Sequence, residues 1–321
     1  KIKAVRKRIL DGLEIEFVYV ENTNAPILLA EGFDSPSNFL RDYCFFAWLK
    51  SKDIIVSVFY RDIYWRFDFY SQLLPWPLSF FVKPLCYLDW YVYDKFCDVM
   101  FLPSILMNEY LPKPRYENKV FDLPPGFDED FTKENEVVKE KEEGLDLLYV
   151  GGVSPNVYDL SNMIKTVAEC DDVTLFICCR ENEWCDVKST YQSLFTENGA
   201  IQIVHYQGDD LADLYARCDA FMMAVGYSEY REFAMPIKFF EAIGYGLPVI
   251  SLNQKSVANI IEKYNIGWIL QAEDELGELL LRIQQKSELD EKTKNVIDIR
   301  SKFTWKSRAR TAYRLLSNHR G

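Results

Sequence analysis

The stretch MPIKFFEAIGYGLPVIS, residues 235–251, has the pattern of a helix that leads into a buried strand. Pro236 suits the first turn of a helix, where the N–H group that proline lacks would have no partner. Gly246 suits the left-handed residue that follows a helix, and Pro248 prevents the helix from continuing. The letters PVIS then predict a short strand that is fully buried. A helix of about ten residues followed by such a strand is typical of a parallel α/β sheet.

Lys238 and Glu241 are the only charged residues in this stretch, and their spacing places them on one face of the helix. Lys238 lies in the first turn, where unpaired backbone N–H groups and a partial positive charge already favour an anion. The start of the helix, at Pro236 and Ile237, could hold a pyrophosphate together with Lys238, and Glu241 could bind ribose hydroxyls. The alternative is a surface ion pair worth about 0.2–0.5 kcal/mol.

Length and charge limit the class of partner. The chain has 321 residues, enough for two domains of ordinary size, and 49% of them are apolar. Its formal net charge of −12 argues against nucleic acid as a partner, because a phosphate backbone needs a basic surface. Local positive groups must therefore bind any anionic ligand. No run approaches the ~20 apolar residues of a membrane-spanning helix.

The eight cysteines and two histidines limit which disulfides and metal sites the chain could form. The cysteines show no disulfide framework and no C-x-x-C pattern, which predicts reduced thiols in a cytoplasmic protein. A zinc site built from several histidines is excluded, since only His205 and His319 are present. His205 ends the apolar run IQIVHY, and we expect it to be a structural residue.

Strand and helix patterns alternate along the chain, most clearly in its second half. There the strand-like runs LDLLYVGG, VTLFICC, IQIVHY, AFMMAV and GWIL are separated by helical segments, among them 156–170 and one from Trp184 to Phe195. Such repetition predicts a parallel sheet covered by helices on both faces, with ligands bound beyond the carboxyl ends of the strands. The first half has the same type of pattern but opens with a basic helix. We therefore expect its first βα units to be missing.

These patterns predict an α/β protein of two doubly wound domains. The polar segment 126–143 has almost no apolar pattern and is the expected linker. It separates an N-terminal, acceptor-side domain at residues 1–125 from a C-terminal, nucleotide-sugar-binding domain at residues 144–300. The basic segment 301–321 predicts a helix that packs back on the first domain or forms a weak membrane patch.

The motifs together resemble the GT-B glycosyltransferases, in particular the large retaining group called group one or family four. Pro-x-Lys-x-x-Glu followed by Gly-x-Pro-Val-Ile is similar to their donor-site helix. YVGGVS at 149–154 resembles the first strand and glycine turn of their C-terminal domain. Residues 205–225 resemble the segment that runs from the base-binding strand through the next helix to the strand before the donor helix. LPPGFDEDF at 123–131 resembles the interdomain passage. The resemblance covers roughly residues 120–270, and the first domain only by its architecture.

The resemblance implies two Rossmann-like domains that face each other across a cleft and bind a nucleotide diphosphate sugar, with UDP as the expected nucleotide. It implies no cofactor and no metal, because Lys238, Arg180 and helix amides would supply the positive charge. Alternatives remain for the weaker members: a plain tight turn for the glycines, a solvated arginine, and a core tyrosine at Tyr206. The donor-site residues that it implies are Gly151, Gly152, Ser154, Arg180, Tyr206, Pro236, Ile237, Lys238 and Glu241.

One departure from the family pattern concerns catalysis. Retaining relatives usually carry two glutamates eight positions apart, but the residue eight before Glu241 is Phe233, and Glu232 lies nine before it. The sequence therefore leaves both retention and inversion open. Retention would rely on stabilising the leaving group, whereas inversion needs a carboxylate base. The catalytic candidates are Glu21, Asp34, Asp62 and Glu232, each of which also suits a structural or positioning role.

Aromatic residues are dense between Phe59 and Phe101, where they make up 16 of 43 residues. Basic residues are interleaved with them, namely Arg61, Arg66, Lys83 and Lys95. This composition suits a peripheral contact with a membrane, a lipid-linked acceptor or stacking on an acceptor sugar. The alternative is an aromatic core with long cations at its edge.

We therefore expect a glycosyltransferase that acts on a glycan or lipid-linked acceptor in the assembly of cell-surface polysaccharide or glycoconjugates. The expected location is the cytoplasm or the inner face of the membrane, and a homo-oligomer is left open. One alternative is a nucleotide-sugar epimerase of the same fold, which needs no acceptor. The other is a catalytically silent GT-B partner subunit, because fold alone does not establish activity.

Overall fold

The computed structural model describes residues 2–27, 39–68, 70, 78–114, 119–129, 144–196 and 199–319. The chain divides into two compact units, which are described separately. Unit 1 comprises Lys1–Pro124 and Ala309–Gly321, and unit 2 comprises Pro125–Arg308. Asp34 and most of the expected linker, residues 130–143, lie outside the described residues.

Unit 1 contains a sheet of four parallel strands in the order β1-β2-β3-β4. The strands are β1 (Phe17–Glu21), β2 (Ile55–Phe59), β3 (Val99–Leu102) and β4 (Val120–Asp122). The described residues before Pro124 include the helices α1 (Ile2–Leu10), α2 (Phe39–Lys50) and α3 (Leu78–Phe96). From the end of the chain, Ala312 and Leu316 pack with Phe59 and Phe101 in the core of unit 1.

Unit 2 contains a sheet of six parallel strands in the order β10-β9-β8-β5-β6-β7. The strands are β5 (Leu145–Val150), β6 (Val173–Cys178), β7 (Ile201–Val204), β8 (Ala220–Met223), β9 (Val249–Leu252) and β10 (Gly267–Leu270). The helices are α4 (Ser161–Ala168), α5 (Glu181–Tyr191), α6 (Gly208–Arg217), α7 (Ile237–Gly244), α8 (Lys255–Tyr264), α9 (Leu276–Ile283), α10 (Ser287–Ile299) and α11 (Trp305–Asn318), the last of which continues into unit 1. The order reverses between β5 and β8, and ligands of doubly wound sheets bind at such a point.

The stretch 235–251 has the structure that its pattern predicts. Pro236 precedes the first residue of α7, and Gly246 has the left-handed φ of +82°. The helix has eight residues, and its apolar members Phe239, Phe240 and Ile243 are buried. The strand β9 that follows is buried along its whole length.

Two helices begin at other residues than the sequence pattern suggests. The pattern favours a helix from residue 156, but α4 begins at Ser161 because the preceding residues form a turn. In this turn the Ser154 carbonyl accepts from the N–H groups of Val157 and Tyr158 at 3.0 and 2.6 Å. Helix α5 begins at Glu181 rather than at Trp184, and acidic residues in its first turn suit the partial positive charge there.

Candidate functional site

The carboxyl ends of the parallel strands in unit 2 bring the predicted donor residues to one edge of the sheet. Gly151 directly follows β5, Arg180 lies two residues after β6, and Tyr206 lies two residues after β7. Helix α7 follows β8 and therefore begins at the same edge. The switch in strand order lies between β5 and β8, so that the glycine turn and the loop before α7 flank it.

The first turn of α7 offers unpartnered backbone donors. Pro236 caps the helix without a side-chain hydrogen bond, and its carbonyl accepts from the N–H of Phe239 at 3.1 Å. Among the described residues, the N–H groups of Ile237 and Lys238 have no partner. The Ile237 side chain is exposed, so the turn is open to a ligand. Two free amides and an adjacent ammonium form a group that suits an anion.

Lys238 and Glu241 form an ion pair in this structure, with 2.7 Å between Nζ and Oε2. The side chain of Lys238 is 39% exposed and that of Glu241 is 23% exposed. The buried Tyr215 hydroxyl donates to the same Oε2 at 3.2 Å, and burial together with Glu241 raises the pKa of Tyr215 well above its ordinary value. Oε1 of Glu241 has no hydrogen-bond partner within the described ranges. Lys238 and Glu241 thus form the ion pair that the alternative interpretation predicts. Oε1 of Glu241 and the N–H groups of Ile237 and Lys238 remain available for a ligand.

Cys178 connects several predicted residues, and the sequence analysis missed it. Its carbonyl accepts from the Gly151 N–H at 3.1 Å, and its thiol donates to the Tyr206 carbonyl at 3.5 Å. Burial raises the pKa of the Cys178 thiol, and the nearby charge of Lys238 opposes this shift. The glycine turn and the end of β7 therefore meet at one buried residue, whose thiol also senses the charge of Lys238. The only signal in the sequence is its place near the end of the predicted strand VTLFICC.

The glycine turn after β5 is tightly packed against its own loop. A Cβ on Gly151 would lie 2.9 Å from the Tyr149 hydroxyl, and one on Gly152 would lie 2.7 Å from the ring of Tyr158. The Tyr149 hydroxyl donates to the Gly152 carbonyl at 2.6 Å, and Glu183 accepts from the Val153 N–H at 3.0 Å. Packing within the loop already requires glycine at both positions. Ser154 lies in the same loop.

The structure also places the remaining donor candidates and His205. Arg180 is exposed at the start of α5. Tyr206 is 42% exposed, so the interpretation as a core tyrosine is wrong. The His205 ring is also exposed, and its Nδ1 lies 2.9 Å from the Cys179 carbonyl, a contact that fits a structural role.

Two of the three described catalytic candidates, Glu21 and Asp62, lie in unit 1, and both carboxylates are already hydrogen-bonded. Glu21 ends β1 and binds the Tyr19 hydroxyl at 3.0 Å and Arg61 at 3.2 Å. Asp62 follows β2, and its Oδ1 accepts from the next two backbone N–H groups at 2.6 and 3.0 Å. Each carboxylate is therefore held in place by neighbouring groups of its own unit.

Glu232, the third described candidate, is buried in the loop before α7. Its Oε2 lies 3.0 Å from Nζ of Lys255, and its carbonyl accepts from the Ser256 hydroxyl at 2.9 Å. Both contacts tie this loop to the start of α8. Glu232 is therefore a fixed carboxylate at the same edge of the sheet as the donor candidates.

A fourth carboxylate, Asp89, was missed because nothing near it in the sequence marks a strand end. It is buried on α3 and accepts from the Tyr43 hydroxyl and, at 2.8 Å, from the Ile27 N–H. Burial raises its pKa to about 6. Asp89 and Asp62 both line a hollow of only about 10 Å³, which has room for roughly one water.

Within the described parts of the chain, no group of three His, Cys, Asp or Glu side chains has the arrangement of a metal site. None of the helices in the same ranges combines the length and apolar character that crossing a membrane requires.

Comparison with known proteins supports the resemblance inferred from the motifs. Residues 144–286 match the family described as Glycosyl transferases group 1. HepE of Anabaena, solved in complex with UDP and glucose, aligns over 98% of this chain and 82% of its own, with 15% identity and a TM-score of 0.64.

The lipopolysaccharide glycosyltransferase WaaG aligns over 94% of this chain and 92% of its own, with 17% identity and a TM-score of 0.56. A UDP-forming trehalose-phosphate synthase from Burkholderia xenovorans covers 100% and 78%, with 10% identity and a TM-score of 0.63. No curated protein sequence matches the chain. The chain therefore has the GT-B fold of two Rossmann-like domains, and its residues 144–286 carry the signature of the glycosyl transferases group 1.

Proposed function

We propose that the protein transfers a hexosyl group from a UDP-sugar to a glycan or lipid-linked acceptor. The observation that carries this proposal is the start of α7, where the free N–H groups of Ile237 and Lys238 and the Lys238 ammonium lie together at the carboxyl edge of the sheet. These groups suit a diphosphate because they combine backbone donors, the helix dipole and a full positive charge. The family match over residues 144–286 supports the same reaction class.

The remaining donor contacts follow from the groups around this turn. Glu241 keeps Oε2 on the Tyr215 hydroxyl and offers Oε1 to the ribose hydroxyls. Lys238 exchanges its contact with Glu241 for the diphosphate. Main-chain atoms near Tyr206 bind the base, and the glycine turn with Ser154 approaches the diphosphate and sugar. Arg180, exposed after β6, adds positive charge.

In the transfer step, the acceptor hydroxyl oxygen forms a bond to the anomeric carbon, while the bond from this carbon to the phosphate oxygen breaks. Negative charge develops on the departing UDP, and Lys238 and the amides of α7 stabilise it. We propose that these groups make a metal unnecessary. In an inverting route, Glu21 or Asp62 accepts the hydroxyl proton; in a retaining route, a phosphate oxygen of the donor accepts it. Glu232 is the candidate for contact with the transferred sugar.

We further propose that unit 1 contacts the inner face of the cytoplasmic membrane, in the assembly of cell-surface polysaccharide. Phe80, Phe81, Tyr87 and Tyr91 of α3 are between 46% and 75% exposed. Such an aromatic helix face suits the interface of a bilayer. Sedimentation with vesicles of anionic lipid tests this: Tyr91→Ser should reduce the bound fraction, whereas Leu281→Ser, at an exposed apolar residue of unit 2, should not. Equal binding of both variants would contradict the assignment.

One experiment tests the proposed reaction and separates it from its alternatives. The protein is titrated calorimetrically with UDP-, GDP- and dTDP-sugars, and the release of nucleoside diphosphate is then measured with and without lipid-linked and glycan acceptors. We expect binding of a UDP-sugar and acceptor-dependent release of UDP. Interconversion of the donor without an acceptor would indicate an epimerase. Binding of a protein partner with no release under any condition would indicate a silent subunit.

A further inference from the structure

Arg231 joins the two loops that flank the switch in strand order, although no motif in the sequence marks it. Its guanidinium donates from Nη1 to the Gly226 carbonyl, in the loop after β8, and from Nη2 to the Val157 carbonyl, in the loop after β5. The planar fork of arginine can bind two acceptors in fixed directions, which a lysine ammonium cannot do in the same way. One side chain therefore fixes the separation of the two loops.

Arg231 also acts on the glycine turn through an aromatic ring. Its guanidinium lies over the ring of Tyr158, 5.4 Å from the ring centre. That ring covers Gly152 so closely that a Cβ there would lie 2.7 Å from it. A cation is attracted electrostatically to the face of an aromatic ring, also at a partly exposed ring such as that of Tyr158. The position of Arg231 is thus transmitted to the backbone that we assign to the donor.

The guanidinium of Arg231 is partly desolvated without a carboxylate beside it in the part of the chain that the structure describes. Burial lowers the pKa of Arg231, and within the described ranges no carboxylate forms an ion pair with it. Neutral carbonyls and one aromatic ring compensate the desolvated charge only in part. By contrast, the charge of Arg282 in the same unit is paired with the carboxylate of Glu288 at 2.9 Å.

We propose that Arg231 is a positioning residue for the donor, which holds the glycine turn and the loop after β8 in the geometry that binds the UDP-sugar. This inference rests on the proposed function. Preorganising the two loops before the donor arrives spares the binding step the entropy of ordering them. Loss of the contact should therefore reduce the free energy of donor binding more than it reduces the free energy of unfolding.

The test compares Arg231→Lys and Arg231→Ala with a matched control, Arg217→Ala. Arg217 ends α6 and makes the same kind of contact, with its guanidinium 4.2 Å from the ring centre of Phe176, but it lies at the other end of that helix from the donor edge. Hydrogen exchange is followed in peptides that cover residues 151–158 and 224–231 of the ligand-free protein. UDP and UDP-glucose affinities are measured by calorimetry, and the melting temperature of each variant is recorded.

We expect both Arg231 variants to exchange at least tenfold faster in these two peptides and to bind UDP about tenfold more weakly, with no such change in Arg217→Ala. Unchanged exchange in both variants would overturn the link between the loops. Faster exchange with unchanged UDP affinity would overturn the positioning role. If the wild-type protein binds no nucleotide sugar, the proposed function fails, and with it the role of Arg231 toward a donor, while the exchange rates still decide whether the two loops are joined.

Discussion

Replacement of Lys238 by methionine separates a role in donor binding from a role in stability. Methionine keeps most of the apolar stem but removes the ammonium. The ion pair with Glu241, at 2.7 Å between partly exposed side chains, contributes about 0.2–0.5 kcal/mol. The same ammonium lies in the first turn of α7, where the helix dipole opposes it by about 0.3–1 kcal/mol. The two effects nearly cancel, so the melting temperature should change by no more than about 2 °C.

The effect on donor binding should be much larger. A hydrogen bond between charged groups contributes about 1.5–3 kcal/mol, which corresponds to a loss of roughly 10–150-fold in affinity. Calorimetric titration with UDP measures this loss, and differential scanning calorimetry measures stability. The matched control is Arg282→Met, which removes an exposed cation from another ion pair of unit 2. It should leave the affinity for UDP unchanged.

Two results would refute this reasoning. If Lys238→Met binds UDP within twofold of the wild type, the ammonium does not contact the diphosphate, and the ion pair with Glu241 is only a surface contact. If the melting temperature instead falls by more than about 5 °C, Lys238 supports the fold through contacts that its exposure does not suggest.

Two further predictions concern stability. Because burial raises the pKa of Asp89 to about 6, the folded state holds a proton that the unfolded state has released between about pH 4 and 6, and stability falls as the pH rises through this window. The free energy of unfolding of Asp89→Asn, measured in urea and taken relative to that of the wild type, should therefore rise by up to about 3 kcal/mol from pH 4 to pH 7. A difference between the two proteins that stays constant with pH would contradict this. Gly244→Ala should cost about 1–3 kcal/mol, since its Cβ would lie 2.5 Å from the buried ring of Phe127. Gly277→Ala, with 3.5 Å to its nearest neighbour, should be neutral or stabilising, and equal melting temperatures for the two alanine variants would argue against the clash.

Much of the local structure could be predicted because it depends on residues that are near one another in the sequence. Pro236 lies at the start of α7 and Gly246 lies just after its end, as expected. The fixed φ of proline and the left-handed φ of glycine are properties of single residues, so the sequence alone indicates them. The apolar runs of the second half became parallel strands, because a strand buried on both faces needs continuous apolar sequence. The GT-B fold was anticipated from the same patterns together with the family motifs.

Helix starts were less predictable, because competing local hydrogen bonds decide them. The N–H groups of Val157 and Tyr158 bind the Ser154 carbonyl, and the Ser161 N–H binds the Asp159 side chain at 2.9 Å. These contacts hold a turn in a segment whose apolar spacing also suits a helix. Periodicity alone does not measure that competition.

The sequence by itself determined the class of fold, the order of strands and helices along the chain, and the charged helix that became the centre of the candidate site. Only the tertiary structure decided which strands are neighbours, and therefore that Cys178 lies among the donor candidates and that Arg231 joins two loops. It also decided that Asp89 is buried and that Tyr206 is exposed. The physical reason is that burial and contact between distant residues depend on strand order, which the hydrophobic pattern of each segment does not encode.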